Sequence, residues 1–204
     1  MNETLEVDGR RFCYRQYEQS FTQPNAEVNR HMIEWVCARA RETGGGDLLE
    51  LYCGNGNFTL PLARYFDTVI ATEVAKSSVR AARANIVENG IDNIHIARLA
   101  AEEVAQALRG ERTFRRLAEL PRTLREFDLR TLFVDPPRAG LDAQTLRMAP
   151  DFARIIYISC NPASLADNLA QLTRTHRVTA CALFDQFPYT EHMECGVTLE
   201  RIPT

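Results

Sequence analysis

Lysine is nearly missing from this sequence: of 24 Lys and Arg residues, Lys76 alone is a lysine. Positive charge is therefore carried by guanidinium groups, which suit bidentate phosphate contact and serve equally well on solvated faces. The formal net charge of -3 provides no global field to draw in nucleic acid. No apolar run approaches the roughly 18 residues of a membrane span. The polar start MNETLEVDGR has no signal-peptide core, so the expected compartment is the cytoplasm. The six cysteines (Cys13, Cys37, Cys53, Cys160, Cys181 and Cys195) form no CxxC pair and have no His-rich neighbourhood. That pattern argues against a disulfide framework and against a zinc site, and no metal is expected. Most of these cysteines read as small buried residues, so one with chemistry must be singled out by its surroundings. Ten glycines and nine prolines are ordinary counts that exclude collagen-like and disordered classes.

What is present is a sizeable core: 204 residues, 45% of them hydrophobic, suit one globular unit. Thr4 to Val7 and Arg10 to Tyr14 flank Asp8-Gly9, a hairpin signal. The loop SFTQPN follows, and Asn25 caps an amphipathic helix from Ala26 to Arg41 with Val28, Met32, Trp35 and Val36 on one face. After Gly44-Gly45-Gly46, strands and helices alternate. Strands are expected at Asp47 to Tyr52, Thr68 to Glu73, Ile94 to Leu99, Thr131 to Asp135 and Ile155 to Ser159. Helices are expected at Phe58 to Tyr65, Lys76 to Glu88, Ala101 to Leu108 and Pro162 to Thr173. Arg109 to Asp128 reads as a charged insertion with some helix, carrying Arg112, Arg115, Arg116, Arg122 and Arg125. Val178 to Phe184 and Cys195 to Ile202 close the chain as an antiparallel pair, because a loop rather than a crossover helix joins them. Alternation with continuous apolar strands implies an α/β fold whose parallel sheet is covered on both faces.

Two constellations fall at strand ends. In Tyr52-Cys53-Gly54-Asn55-Gly56-Asn57 the spaced glycines permit a tight turn and close approach of a ligand. Glu73 ends the next strand about twenty residues after Gly54, where such folds place a carboxylate on ribose hydroxyls. The loop has no Gly-Lys-Ser/Thr, so a nucleotide phosphate cradle does not fit. A nucleoside cofactor without pyrophosphate does, and S-adenosylmethionine is the commonest of these. The second constellation is Asp135-Pro136-Pro137-Arg138, Cys160 and Glu194. The two prolines of the first lack N–H groups and stiffen the loop, which suits holding a planar base beside a methyl donor, a plain strand terminator being the alternative. Glu194, read alone, is a solvated strand edge. Cys160 ends a strand, with Asn161 placed to cap a helix and Pro162 at its first position. A helix N-terminus favours a thiolate, although its roughly 0.3–1 kcal/mol moves a thiol by less than one pKa unit. Together, a thiol, a carboxylate and a methyl donor suit methylation of uracil carbon 5. The thiolate adds at carbon 6, carbon 5 takes the methyl group, and a base removes the carbon 5 proton.

LLELYCGNGNF, FVDPPRAGLD, YISCNP and FDQFPYTEHMECG together resemble the RNA uracil-C5 methyltransferases. The last motif is most similar to the branch that makes ribothymidine in the tRNA T-loop. The resemblance runs from SFTQPN nearly to the end. It implies a Rossmann-like, S-adenosylmethionine-dependent fold with a seven-stranded mixed sheet. It assigns Gln23, Tyr52, Asn57, Glu73 and Asp135 to the cofactor, Cys160 as nucleophile and Glu194 as proton acceptor, and it points Arg138 towards RNA. Gly54 joins the cofactor set from its turn. Residues 1–45 are expected to form a hairpin and helical extension that contributes to the cofactor site, and 46–204 the catalytic domain. Family members carry an N-terminal RNA-binding region ahead of this stretch, so the chain is expected to be a catalytic domain without it. The rival readings are uracil methylation of ribosomal RNA and a non-catalytic RNA- or nucleoside-binding module.

Overall fold

The computed structural model describes residues 2–16, 23–42, 45–190 and 192–203. Ser20, Phe21 and Thr22 of SFTQPN, and Gly44, lie outside the described residues. The chain opens with the expected hairpin, β1 (Asn2–Val7) against β2 (Arg10–Arg15). Asp8 and Gly9 have φ of 49° and 73°, the left-handed pair that a two-residue turn needs to match strand twist. Helix α1 (Ala26–Arg41) starts where Asn25 accepts from the amides of Glu27 and Val28.

A seven-stranded sheet follows, made of β3 (Asp47–Leu51), β4 (Val69–Thr72), β5 (Ile94–Ala97), β6 (Leu129–Val134), β7 (Arg154–Ser159), β8 (His176–Phe184) and β9 (Glu194–Arg201). Their spatial order is β5-β4-β3-β6-β7-β9-β8. The first five are parallel, whereas β9 runs antiparallel to both β7 and β8. The helices are α2 (Thr59–Leu62), α3 (Lys76–Glu88), α4 (Ala101–Arg109), α5 (Ala143–Met148) and α6 (Pro162–Leu172). Because successive strand residues point to opposite faces, the core divides in two. Leu48, Phe133, Ile156 and Ile158 pack with α1, α2 and α3 on one face. Leu49, Leu132, Val134, Ile155 and Tyr157 pack with α4, α5 and α6 on the other. Both faces being covered, the strands read as continuous apolar runs rather than alternating ones.

The single tryptophan sets how α1 lies on the sheet. Trp35 stands edge-on to Phe184 of β8, with ring centroids 6.1 Å apart, and reaches down to Gly196 of β9. A Cβ at Gly196 would come within 2.8 Å of the indole ring, so only glycine admits the ring here.

Several expected boundaries shift. Tyr52, Glu73 and Asp135 fall just past their strands, and β8 begins at His176, before Val178. The first crossover is one α-turn, α2, continued by a 3-10 turn over Ala63–Tyr65. Helix α5 has no counterpart in the sequence reading, since six residues are too few to display a helical period. The insertion forms two 3-10 turns, Arg115–Glu119 and Leu124–Glu126. Its arginines are largely structural. Arg122 bonds the buried carboxylate of Asp47 at 3.1 Å, Arg125 donates to the Leu108 carbonyl, and Arg116 donates to that of Arg98. Among the described residues no helix is long and apolar enough to cross a membrane.

Candidate active site

The chain passes from β3 to β4 and β5 on one side of the sheet and returns through β6 on the other. Open α/β sheets bind ligands at the carboxyl ends of the strands beside such a reversal. A cavity of about 610 Å³ lies there. All nine residues singled out from the sequence line it: Gln23, Tyr52, Gly54, Asn57, Glu73, Asp135, Arg138, Cys160 and Glu194.

Beyond β3 the backbone turns sharply. Tyr52 is a non-glycine residue with φ of 62°, a strained conformation of the kind found at ligand sites. Gly54 has φ of 55°, and a Cβ there would meet no protein atom within 4 Å. The turn thus presents open backbone to the cavity, as a cradle for a close-approaching ligand requires. Glu73, just past β4, secures it: one carboxylate oxygen accepts from the Gly54 amide at 3.1 Å and the other from the Ala75 amide at 2.8 Å. Each oxygen retains acceptor capacity for a ligand hydroxyl.

The hairpin and α1 close this side. The buried Tyr14 hydroxyl donates to the Asn57 carbonyl at 3.0 Å, and Asn29 of α1 meets the Asn57 side chain. Gln23 accepts a 2.8 Å hydrogen bond from Gln186, a buried residue of the β8–β9 loop. SFTQPN and FDQFPYTEHMECG therefore touch in space.

Opposite, the Asp135-Pro136-Pro137-Arg138 loop is tied to the start of α6. Asn161 accepts from the Ala163 amide as the helix cap and donates to the Arg138 carbonyl at 2.9 Å. Pro162 occupies the first helical turn as expected. Arg138 is the one cation among the described residues that line the cavity, and its guanidinium lies 3.3 Å from His192 Nδ1.

Glu194 is buried, not the solvated edge that its position suggested. Burial raises its pKa, and burial with the Glu194 charge pushes Asp135 up to about 8. Cys160 is half-buried, and its thiol is also held up, by burial and then by Glu194 and Asp135, with Arg138 acting the other way. This corrects the sequence expectation. The helix end is present, but desolvation and two carboxylates outweigh it. Glu50, one strand over on β3, is fully buried and pushed up to about 8, by burial first and with Asp135 adding to it. Among the described residues, no cluster of three or more His, Cys, Asp or Glu side chains is gathered to hold a metal ion.

Sequence reasoning missed Tyr14, Asn29, Glu50 and Gln186. Asn29 had a signal, being a polar residue on the apolar stripe of α1 one turn before Ile33. Tyr14 and Gln186 had none, because only the folded chain brings Tyr14 to the cavity and Gln186 to Gln23.

The sheet order, the helices on both faces and the cavity at the reversal point define an α/β, Rossmann-like methyltransferase fold. The same fold is found in the crystal structure of Pyrococcus abyssi tRNA (uracil-54, C5)-methyltransferase in complex with S-adenosyl-L-homocysteine. The TM-score is 0.73 at 23% identity, covering 97% of this chain and 44% of that one. An rRNA methylase from Streptococcus thermophilus matches with a TM-score of 0.61 at 14% identity, over 84% of this chain and 96% of that one.

The family model for tRNA (Uracil-5-)-methyltransferase matches residues 1–202, and the chain belongs to that family. Relatives named tRNA/tmRNA (uracil-C(5))-methyltransferase include one from Photorhabdus laumondii, 57% identical over 99% of this chain and 54% of its own length. Another, from Acinetobacter baumannii, is 60% identical over 98% of this chain and 55% of its own. The chain thus spans about half the length of these curated relatives.

Proposed function

We propose that this chain is the catalytic unit of an S-adenosylmethionine-dependent tRNA uracil-C5 methyltransferase. It would convert the T-loop uridine to ribothymidine through a covalent bond between Cys160 and uracil carbon 6. Residues 1–45 contribute the hairpin and helix that complete the cofactor side, and 46–204 form the catalytic domain. The observation that carries this reading is that Cys160 and Glu194 share one cavity with the strand-end residues Tyr52, Gly54, Asn57, Glu73 and Asp135.

The cofactor supplies an electrophilic methyl group on a sulfonium. Burial keeps Asp135 and Glu194 inclined to hold their protons, and a sulfonium in the same cavity would favour their ionised forms. Tyr52, Gly54, Asn57 and Gln23 would bind it, with Glu73 on the ribose hydroxyls. Asp135, on the stiff Pro136-Pro137 loop, lies between this side and Cys160.

Because burial and two carboxylates hold the Cys160 thiol up, its proton has to pass to solvent as the nucleobase arrives, which the half-buried position of the thiol permits, and Arg138 favours the resulting thiolate. Sulfur addition at carbon 6 makes carbon 5 nucleophilic. Once carbon 5 carries the methyl group, Glu194 takes its remaining proton and Cys160 is expelled. A base with a raised pKa is suited to accepting that proton near neutral pH.

Methyl transfer from labelled S-adenosylmethionine to unmodified tRNA and to ribosomal RNA transcripts tests the reading. Label at the T-loop uridine supports it. Label confined to ribosomal RNA makes that the substrate, and RNA binding without label makes the chain a binding module.

A further inference from the structure

We infer that Asn29 is a positioning residue for cofactor binding: the amide of this helix α1 residue holds the amide of Asn57 in the orientation a ligand meets. The inference rests on the reading of Asn57 as a cofactor contact.

Helix α1 buries one stripe, made of Met32, Ile33, Val36, Cys37 and Ala40. Asn29 lies on that stripe and is only 3% exposed, where an apolar residue would pack at no polar cost. Its Nδ2 donates to Asn57 Oδ1 at 2.9 Å, and its Oδ1 accepts from Asn57 Nδ2 at 2.8 Å. Both residues line the cavity.

A primary amide has two N–H donors and two carbonyl lone pairs. The reciprocal pair uses one of each on both residues. Asn57 therefore keeps one donor and one acceptor for a ligand, on an amide whose plane is already set. Its backbone is held as well, because the Tyr14 hydroxyl donates to the Asn57 carbonyl at 3.0 Å. Ordering a polar side chain before the ligand arrives removes a cost otherwise charged to binding, up to about tenfold in affinity for one such group. Cofactor affinity is thus set partly by the segment that precedes the sheet. A mere packing role for Asn29 would instead make its loss independent of Asn57.

The test is calorimetric affinity for S-adenosylmethionine of this chain and its variants Asn29→Ala, Asn29→Asp, Asn57→Ala and Asn29→Ala/Asn57→Ala, each with its melting temperature. Asn29→Ala is expected to weaken binding about tenfold. Asn29→Asp keeps the acceptor for Asn57 Nδ2 but sets a second oxygen against Asn57 Oδ1, so it is expected to weaken binding at least as much as Asn29→Ala. The double variant binds no more weakly than Asn57→Ala alone, because Asn29 acts through Asn57. Should the alanine variant melt early, the near-isosteric aspartate carries the comparison. Unchanged affinity in folded Asn29 variants, or losses that multiply in the double variant, overturns the inference. Asn57→Ala binding as tightly as the parent overturns the cofactor reading of Asn57 itself, and the inference with it.

Discussion

Cys160 and Glu194 stand across from one another, one register step beyond Ser159 and Cys195, the terminal pair of antiparallel strands β7 and β9. Residues far apart in the chain become neighbours because β9 runs against its parallel companions. Its first residue therefore lies where theirs end. The Glu194 charge acts on both Cys160 and Asp135.

Cys160→Ser is expected to abolish methyl transfer and any covalent complex with 5-fluorouracil RNA, since a hydroxyl is a far weaker nucleophile at neutral pH. Cys195→Ser, altering a buried residue on the neighbouring strand, retains the complex. Denaturing gels distinguish the two. A complex that survives in the Cys160 variant and disappears in the Cys195 variant would move the nucleophile to β9.

Glu194→Gln separates the halves of the reaction. The amide matches the side chain in size but cannot accept the carbon 5 proton, so addition and methylation proceed and elimination stalls. Methyl-labelled RNA bound to protein should accumulate with ordinary uracil. Near-normal turnover without such a band would assign the proton to another group, with His192 the neighbour to test next.

Glu73→Ala should weaken S-adenosylmethionine binding by roughly 1.5–3 kcal/mol, the range for hydrogen bonds to a charged acceptor. Part of the loss would come from the Gly54 turn, whose amide the carboxylate also accepts. Calorimetry showing undiminished affinity would remove Glu73 from the site.

Stability should fall as pH rises from about 4.5 to about 8. Glu50 is moved from an ordinary value of 4.5 up to about 8 by burial, with the Asp135 charge adding to it. Through that window the folded chain keeps a proton that the unfolded chain has released. The contribution is complete below the unfolded value and is lost through the folded one. Each such group contributes a slope of at most about 1.4 kcal/mol per pH unit. Urea denaturation of Glu50→Gln across pH 5–8 should be flatter than that of the parent. Parallel curves would show that Glu50 is ionised in the folded chain.

Local patterning determined much by itself. The period of apolar residues placed the strands and longer helices. Asp8-Gly9, Asn25 and Asn161-Pro162 marked a turn and two caps, because their backbone preferences act over a few residues. Strand ends located Tyr52, Glu73, Asp135 and Cys160, since a parallel sheet gathers such ends on one side. The tertiary structure decided the rest, where distant segments meet and where charge leaves water. It set Glu194 against Cys160 by antiparallel register, and joined Asn29 to Asn57 by the docking of α1. It spent several insertion arginines on internal partners. It also reversed the expected direction of the Cys160 thiol, because a helix end is a local effect of less than one pKa unit, whereas burial beside two carboxylates depends on the whole fold.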